Sequence, residues 1–200
     1  MNIAIFASGR GTNFSALIKA REHKIFKANL SLLISDNPGA GAIIRAKKAK
    51  IPVTVVERGN FKNKEEFEKE ICSQLSKYKI DLIVLAGFMC ILSANFVKRY
   101  EGKIINIHPA LLPAFKGGHA IKDAFDYGAK VTGVTVHFVD QETDHGPIIL
   151  QEAVEVKEKD TLEVLEEKIH KVEHRVYPKA IRLFVEGKLK VKGRKVGILS

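Results

Sequence analysis

The chain has 200 residues, 46% of them hydrophobic and 28% charged, a composition that supports a compact core and excludes a disordered chain, a collagen-like repeat and a disulfide miniprotein. Thirty-three Lys and Arg against 23 Asp and Glu give a formal charge of +10, but residues 179–200 carry +6 of it, so the basic excess is mostly a feature of the C-terminal end. No apolar run approaches the roughly 20 residues of a spanning helix, and the start MNIAIFASGRG lacks the basic region and long apolar stretch of a signal peptide, so a cytoplasmic protein without a membrane partner is expected.

From Met1 to about Pro147, short apolar runs alternate with amphipathic stretches. This strand-helix alternation predicts an α/β fold of three layers, Rossmann-like, with a mostly parallel twisted sheet and helices on both faces. The predicted strands are 3–7, 30–35, 53–56, 82–86 and 104–107, most of them apolar on both faces, as strands covered by helices must be. Phe67, Ile71 and Leu75 recur every four residues and predict the buried face of a surface helix. Cys72 and Cys90 are too few and too far apart for a metal knuckle or redox motif and are expected to be buried thiols. Two further strands, 131–139 and 147–156, flank a loop at 140–146. Asp160 is the expected cap of a helix that runs to Val185, with Glu163 reaching back, Gly187 past the end and a bend or break at Pro178. GKLKVKGRKV at 187–196 alternates Lys with Leu or Val and predicts an exposed edge strand protected by its lysines. With no linker or repeat, residues 1–200 are expected to form a single domain; a boundary near Pro109 is the alternative.

Three constellations carry candidate chemistry. The first strand ends in Ala7-Ser-Gly-Arg-Gly-Thr-Asn13 and runs straight into an apolar-periodic segment, so the turn places free N–H groups and the positive end of a helix where an anion can bind. Position 14 is Phe where a dinucleotide fingerprint needs a third glycine, and the Gly-Lys-Ser/Thr of a P-loop is absent; a single phosphomonoester fits better. The second is Asn106 and His108 at the end of a buried strand. Strand alternation puts both side chains on one face, and an amide beside an imidazole makes a pair of donors for a carbonyl oxygen that becomes an oxyanion. The third is Asp144 in the 140–146 loop, a carboxylate able to accept a proton from an amine or to raise the pKa of a neighbouring imidazole. His119, His137, His170 and His174 do not form a metal-binding spacing, so no bound metal is expected.

Together, SGRGTN at 8–13, VLAGFMCILS at 84–93, INIHPALLPAFKGGHA at 105–120 and VTVHFVDQETDHGPIILQ at 134–151 resemble the phosphoribosylglycinamide formyltransferase family over nearly the whole chain. The resemblance implies transfer of a formyl group from 10-formyltetrahydrofolate to the amine of glycinamide ribonucleotide in purine synthesis, with no metal and no nucleic acid, by a monomer or homodimer. It implies Asn106, His108 and Asp144 as catalytic residues, Gly11, Thr12 and Asn13 at the phosphate, and Glu173 at the ribose. It further implies a folate site built from Lys64, Phe88, Met89, Cys90, Ile91, Leu92, Val97 and the Asp140 to Asp144 loop, including Thr143, and a cis peptide at Leu112-Pro113. Cys90 and Lys64 stand where relatives carry Arg, and His145 beside the acid is not universal. A methionyl-tRNA formyltransferase or formyltetrahydrofolate hydrolase needs a further domain at one end. A basic nucleic-acid module needs aromatics among the tail lysines, and none are present.

Overall fold

The computed structural model describes residues 1–199. Nine strands form one mixed sheet: β1 (Asn2–Phe6), β2 (Asn29–Ser35), β3 (Val53–Val55), β4 (Leu82–Leu85), β5 (Ile104–His108), β6 (Val131–Phe138), β7 (Ile148–Glu155), β8 (Leu189–Lys192) and β9 (Lys195–Ile198). Their spatial order is β3-β2-β1-β4-β5-β6-β7-β9-β8. The block from β3 to β5 is parallel, and β6 and β7 follow as antiparallel neighbours. The first seven strands agree with the sequence expectation to within one residue at either end.

Strand period decides which side chains meet which helices. In β1, Ile3 and Ile5 enter one apolar cluster while Ala4 and Phe6 enter the other. The first cluster takes in α1 (Thr12–Glu22), α2 (Gly41–Lys48) and α6 (Leu162–Val185), with Ile121 and Phe125 of α5 (Ala120–Asp126) packed against it. The second takes in Phe67, Ile71 and Leu75 of α3 (Lys64–Lys77) and Phe96 and Val97 of α4 (Ala94–Arg99). The chain winds from β1 through β2 to β3 in one direction and from β4 to β5 in the other. The carboxyl ends of β1 and β4 therefore flank a crevice, the place where open α/β sheets bind ligands.

The structure departs from the sequence reading at four points. α6 is capped by Thr161, whose hydroxyl accepts the Val164 N–H at 3.3 Å, while Asp160 is engaged by the Lys157 N–H and by Lys168. α6 also runs unbroken through Pro178. The proline lacks only the N–H that would meet the His174 carbonyl, and burial of Tyr177, Pro178, Ala180 and Ile181 holds that turn in place. The lysine-rich tail is a hairpin, β8–β9, with β8 at the sheet edge and Gly193 at φ 58 in its two-residue turn. Cys72 and Cys90 are half-buried. Leu112-Pro113 is cis, as expected.

Candidate active site

The turn after β1 forms the first wall. Gly11 caps α1 at φ 71, and a Cβ there would lie 2.8 Å from the Ala42 Cα, so conformation and space both require glycine. Gly9 faces open space and carries no such requirement. The N-terminal N–H groups of α1 thus stand at the crevice with their partial positive charge. Asn13 Nδ2 donates to Glu173 Oε2 at 3.1 Å, and His170 Nδ1 meets the same oxygen at 2.8 Å. Glu173 is buried, and its hydrogen bond is the main reason the His170 pKa is raised. With one Asn13 N–H engaged by Glu173, the main-chain N–H groups of the turn, the Thr12 hydroxyl, the second Asn13 N–H and the exposed Arg10 are what the segment offers an anion.

The second wall is the end of β5. The register pairs Asn106 with His137 and His108 with Thr135 of β6. His137 Nδ1 lies 2.8 Å from the Phe138 carbonyl, which only accepts, so the proton sits on Nδ1 and Nε2 is left as an acceptor. Asn106 Nδ2 lies 3.2 Å from that Nε2 and 3.4 Å from Asp144 Oδ1. Both neighbours accept, which fixes the amide with its NH2 toward them. Asp144 takes the Gly117 N–H at 2.8 Å on its other oxygen, which also lies 3.4 Å from His108 Nδ1. His108 Nε2 donates to the Phe115 carbonyl at 2.7 Å.

Burial lowers the His108 pKa; the Asp144 charge and the Phe115 bond oppose that shift without reversing it, and His137 adds to it. Sequence reasoning expected Asp144 to raise this imidazole. It does push upward, but burial prevails and the resting ring is neutral at neutral pH. Burial by itself would raise the Asp144 carboxyl. His137, the Gly117 N–H and His108 around it together hold it below the ordinary range. The site therefore holds an ionised carboxylate beside a neutral imidazole that is ready to take a proton, with an amide donor between them. His137, Gly117 and the Phe115 carbonyl were not singled out from sequence. Alternation in VTVHF, which places Thr135 and His137 on one face just as Asn106 and His108 share one, was the available signal.

A family model described as formyl transferase matches residues 1–181. The chain belongs to the formyl transferase family. It is 46% identical to a phosphoribosylglycinamide formyltransferase of Bacillus subtilis (strain 168), over 90% of this chain and 92% of that protein. It is 44% identical to the trifunctional purine biosynthetic protein adenosine-3 of Gallus gallus, over 96% of this chain but only 19% of that much longer protein. Among solved structures, glycinamide ribonucleotide transformylase 1 from Symbiobacterium toebii superposes with a TM-score of 0.97 at 40% identity, covering 100% of this chain and 94% of the other.

In this formyl transferase the residues expected at a folate fall into two groups. Phe88, Cys90 and Leu92 pack on the second core cluster, while Met89 and Ile91 between them are each 70% exposed, two large apolar side chains left open beside the crevice. The Met89 N–H donates to Ser8 Oγ at 2.8 Å, which ties this loop to the turn after β1. Val97 is buried, and with Asp140 it lines a cavity of about 770 Å³ whose other wall is the β8–β9 hairpin. The Asp140 side chain is engaged within its own loop, by the Glu142 N–H at 3.1 Å and His145 Nδ1 at 2.7 Å, so only its main chain is open to a ligand. Thr143 is exposed on the same loop, and Lys64 opens α3. Cys90 donates to Asp36 Oδ2 at 3.1 Å; burial first, then Asp36, pushes its thiol up to about 12. Among the described residues no group of three or more His, Cys, Asp and Glu is placed to hold a metal ion, and no helix is long and apolar enough to cross a membrane.

Proposed function

We propose that this formyl transferase moves the formyl group of 10-formyltetrahydrofolate onto the amine of glycinamide ribonucleotide in purine biosynthesis. It acts as a single formyltransferase domain on small molecules in the cytoplasm, as a monomer or homodimer, without metal, nucleic acid or membrane. The observation that carries the reading is the meeting of Asn106, His108 and Asp144 at the end of β5. The Asn13–Glu173 bond supports a ribonucleotide seat across the crevice, with Gly11, Thr12 and Asn13 toward the phosphate and Glu173 toward the ribose. Exposed Met89 and Ile91 suit the flat apolar ring of the formyl donor.

The substrate amine attacks the formyl carbon, and negative charge develops on the formyl oxygen. Asn106 serves that oxygen by giving up its longer contact, the 3.4 Å one to Asp144, and keeping the one to His137. His108 serves it by exchanging the Phe115 carbonyl for the oxygen at Nε2. As His108 becomes an imidazolium, its Nδ1–H donates to Asp144, which already stands 3.4 Å away and is ionised. Asp144 takes the amine proton as the attack completes and is the route by which it reaches His108 Nδ1; the bond from the formyl carbon to the folate nitrogen then breaks, and that nitrogen leaves carrying the proton. Lys64, Phe88 to Leu92, Val97, Asp140 and Thr143 hold the donor.

The test follows donor deformylation by absorbance with and without glycinamide ribonucleotide. Ribonucleotide-dependent turnover should fall roughly 100- to 1,000-fold in His108→Ala and in Asn106→Ala, each folded normally. Turnover that ignores the ribonucleotide would assign the site to a hydrolase. Glu173→Ala should raise the ribonucleotide KM with less effect on kcat.

A further inference from the structure

Asp144 stands at φ 48, a left-handed conformation that a residue other than glycine holds only when its surroundings enforce it. On the active-site side the enforcing contact is the Gly117 N–H. The other side is held by the residue that follows. His145 Nδ1 donates to Asp140 Oδ2 at 2.7 Å. Across the cavity, Arg194 at the tip of the β8–β9 hairpin places Nη2 2.5 Å from the His145 carbonyl. Its Nη1 lies 3.2 Å and 3.0 Å from the two ring nitrogens. Those near-equal distances put Nη1 against the ring between its two nitrogens while Nη2 holds the carbonyl, a two-pronged contact that the guanidinium fork makes and a lysine ammonium does not. Arg194 thus grips both the main chain and the ring of His145, while Asp140 holds the ring edge and Glu142 Oε2 lies 4.0 Å from Nε2.

The hairpin is well placed for such a role. It joins the rest of the sheet through the single register pair Ile148 and Lys195, and Arg194 is the residue before that joint. Gly193 turns the hairpin so that Arg194 faces the loop. At Gly146 a Cβ would lie 1.9 Å from the Phe138 carbonyl, so the C-terminal end of the loop is already pressed against β6. The hairpin lies beyond the 1–181 span that the family model matches.

We propose that Arg194 is a positioning residue for formyl transfer: by clamping His145 it holds the neighbouring Asp144 against His108. The inference rests on the assignment of Asp144 to catalysis. The experiment compares Arg194→Ala, Arg194→Lys, Lys195→Ala and Asp144→Asn in the full chain. It measures kcat, the ribonucleotide KM and the NMR titration of the His108 ring. Arg194→Ala should lower kcat roughly 10- to 100-fold, the scale of a misplacement of about 1 Å, with the ribonucleotide KM unchanged. Its His108 titration should move down toward that of Asp144→Asn, because the carboxylate that favours the imidazolium is no longer held beside it. Arg194→Lys should recover part of the loss, since Lys can donate to the carbonyl but cannot hold the ring at the same time. Lys195→Ala on the same hairpin should behave as the unaltered protein. An Arg194→Ala enzyme with unchanged kcat and His108 titration overturns the inference, as does an equal loss in Lys195→Ala, which would assign the effect to hairpin docking in general. Full turnover in Asp144→Asn would remove the catalytic assignment itself, whereas loss there with normal turnover in Arg194→Ala removes only the clamp.

Discussion

His108 and Asp144 are both held below their ordinary pKa values, and the two shifts act on stability in the same direction. The unfolded chain protonates a histidine near 6.5, whereas the buried His108 resists the proton, so acidification through that value favours unfolding. Asp144 adds stability above the ordinary carboxylate range and loses it as pH falls through its depressed value. Replacing His108 by Gln should therefore reduce the drop in urea midpoint between about pH 7.5 and about pH 5. An unchanged drop would mean that His108 takes its proton as readily folded as unfolded. Cys90 offers a second residue-scale check. With its thiol pushed up to about 12 by burial and Asp36, it carries almost no thiolate near neutrality. Iodoacetamide should modify it slowly, and Asp36→Ala should speed the reaction by removing both the bond and the charge; a rate indifferent to Asp36 would refute that account.

At the scale of elements, the first seven strands and the helices α1, α3 and α6 are legible because apolar period sets them, but element ends depend on which side chain wins a local contest. Asp160 and Thr161 are both good caps in sequence. Lys168 and the Lys157 N–H claim the aspartate, so the threonine caps α6. No local pattern announces the cap of α4 either. Ser93 Oγ accepts the Phe96 N–H at 3.1 Å while its own N–H donates to Glu68 Oε1 at 2.6 Å and its hydroxyl meets the other oxygen of that buried carboxylate. Glu68 sits 25 residues away on α3, so only the tertiary fold reveals the pair. Ser93→Ala removes a helix cap and one donor to a buried charge together. It should cost about 2 to 3 kcal/mol in urea unfolding, against about 1 kcal/mol for Thr161→Ala, where only a cap is lost.

Over the whole molecule, the catalytic candidates were legible because Asn106, His108 and Asp144 are polar residues where the pattern calls for a buried strand end or a tight loop. His137 escaped notice because its meaning lies in the register of two strands that are distant in sequence. The basic tail reads in sequence as an exposed sheet edge, but its partner, the 140–146 loop, is visible only once the hairpin is placed. That placement also decides what the +10 charge does for substrate capture. Five strand spacings separate β9 from β1 in the sheet, or roughly 24 Å at about 4.8 Å each. This exceeds twice the screening length of about 10 Å at 0.1 M salt. The hairpin lysines are thus too far to draw a phosphate to the turn after β1, whereas Arg10 stands on that turn, with Arg45 donating to its carbonyl at 2.8 Å. Raising salt from about 20 mM to about 300 mM should lower kcat/KM for the ribonucleotide while leaving kcat level, because screening acts on encounter and not on chemistry. Replacing Lys188, Lys190 and Lys195 together by Gln should preserve that salt dependence, and Arg10→Gln should flatten it. The reverse pattern would show that the tail, not the turn, steers the substrate.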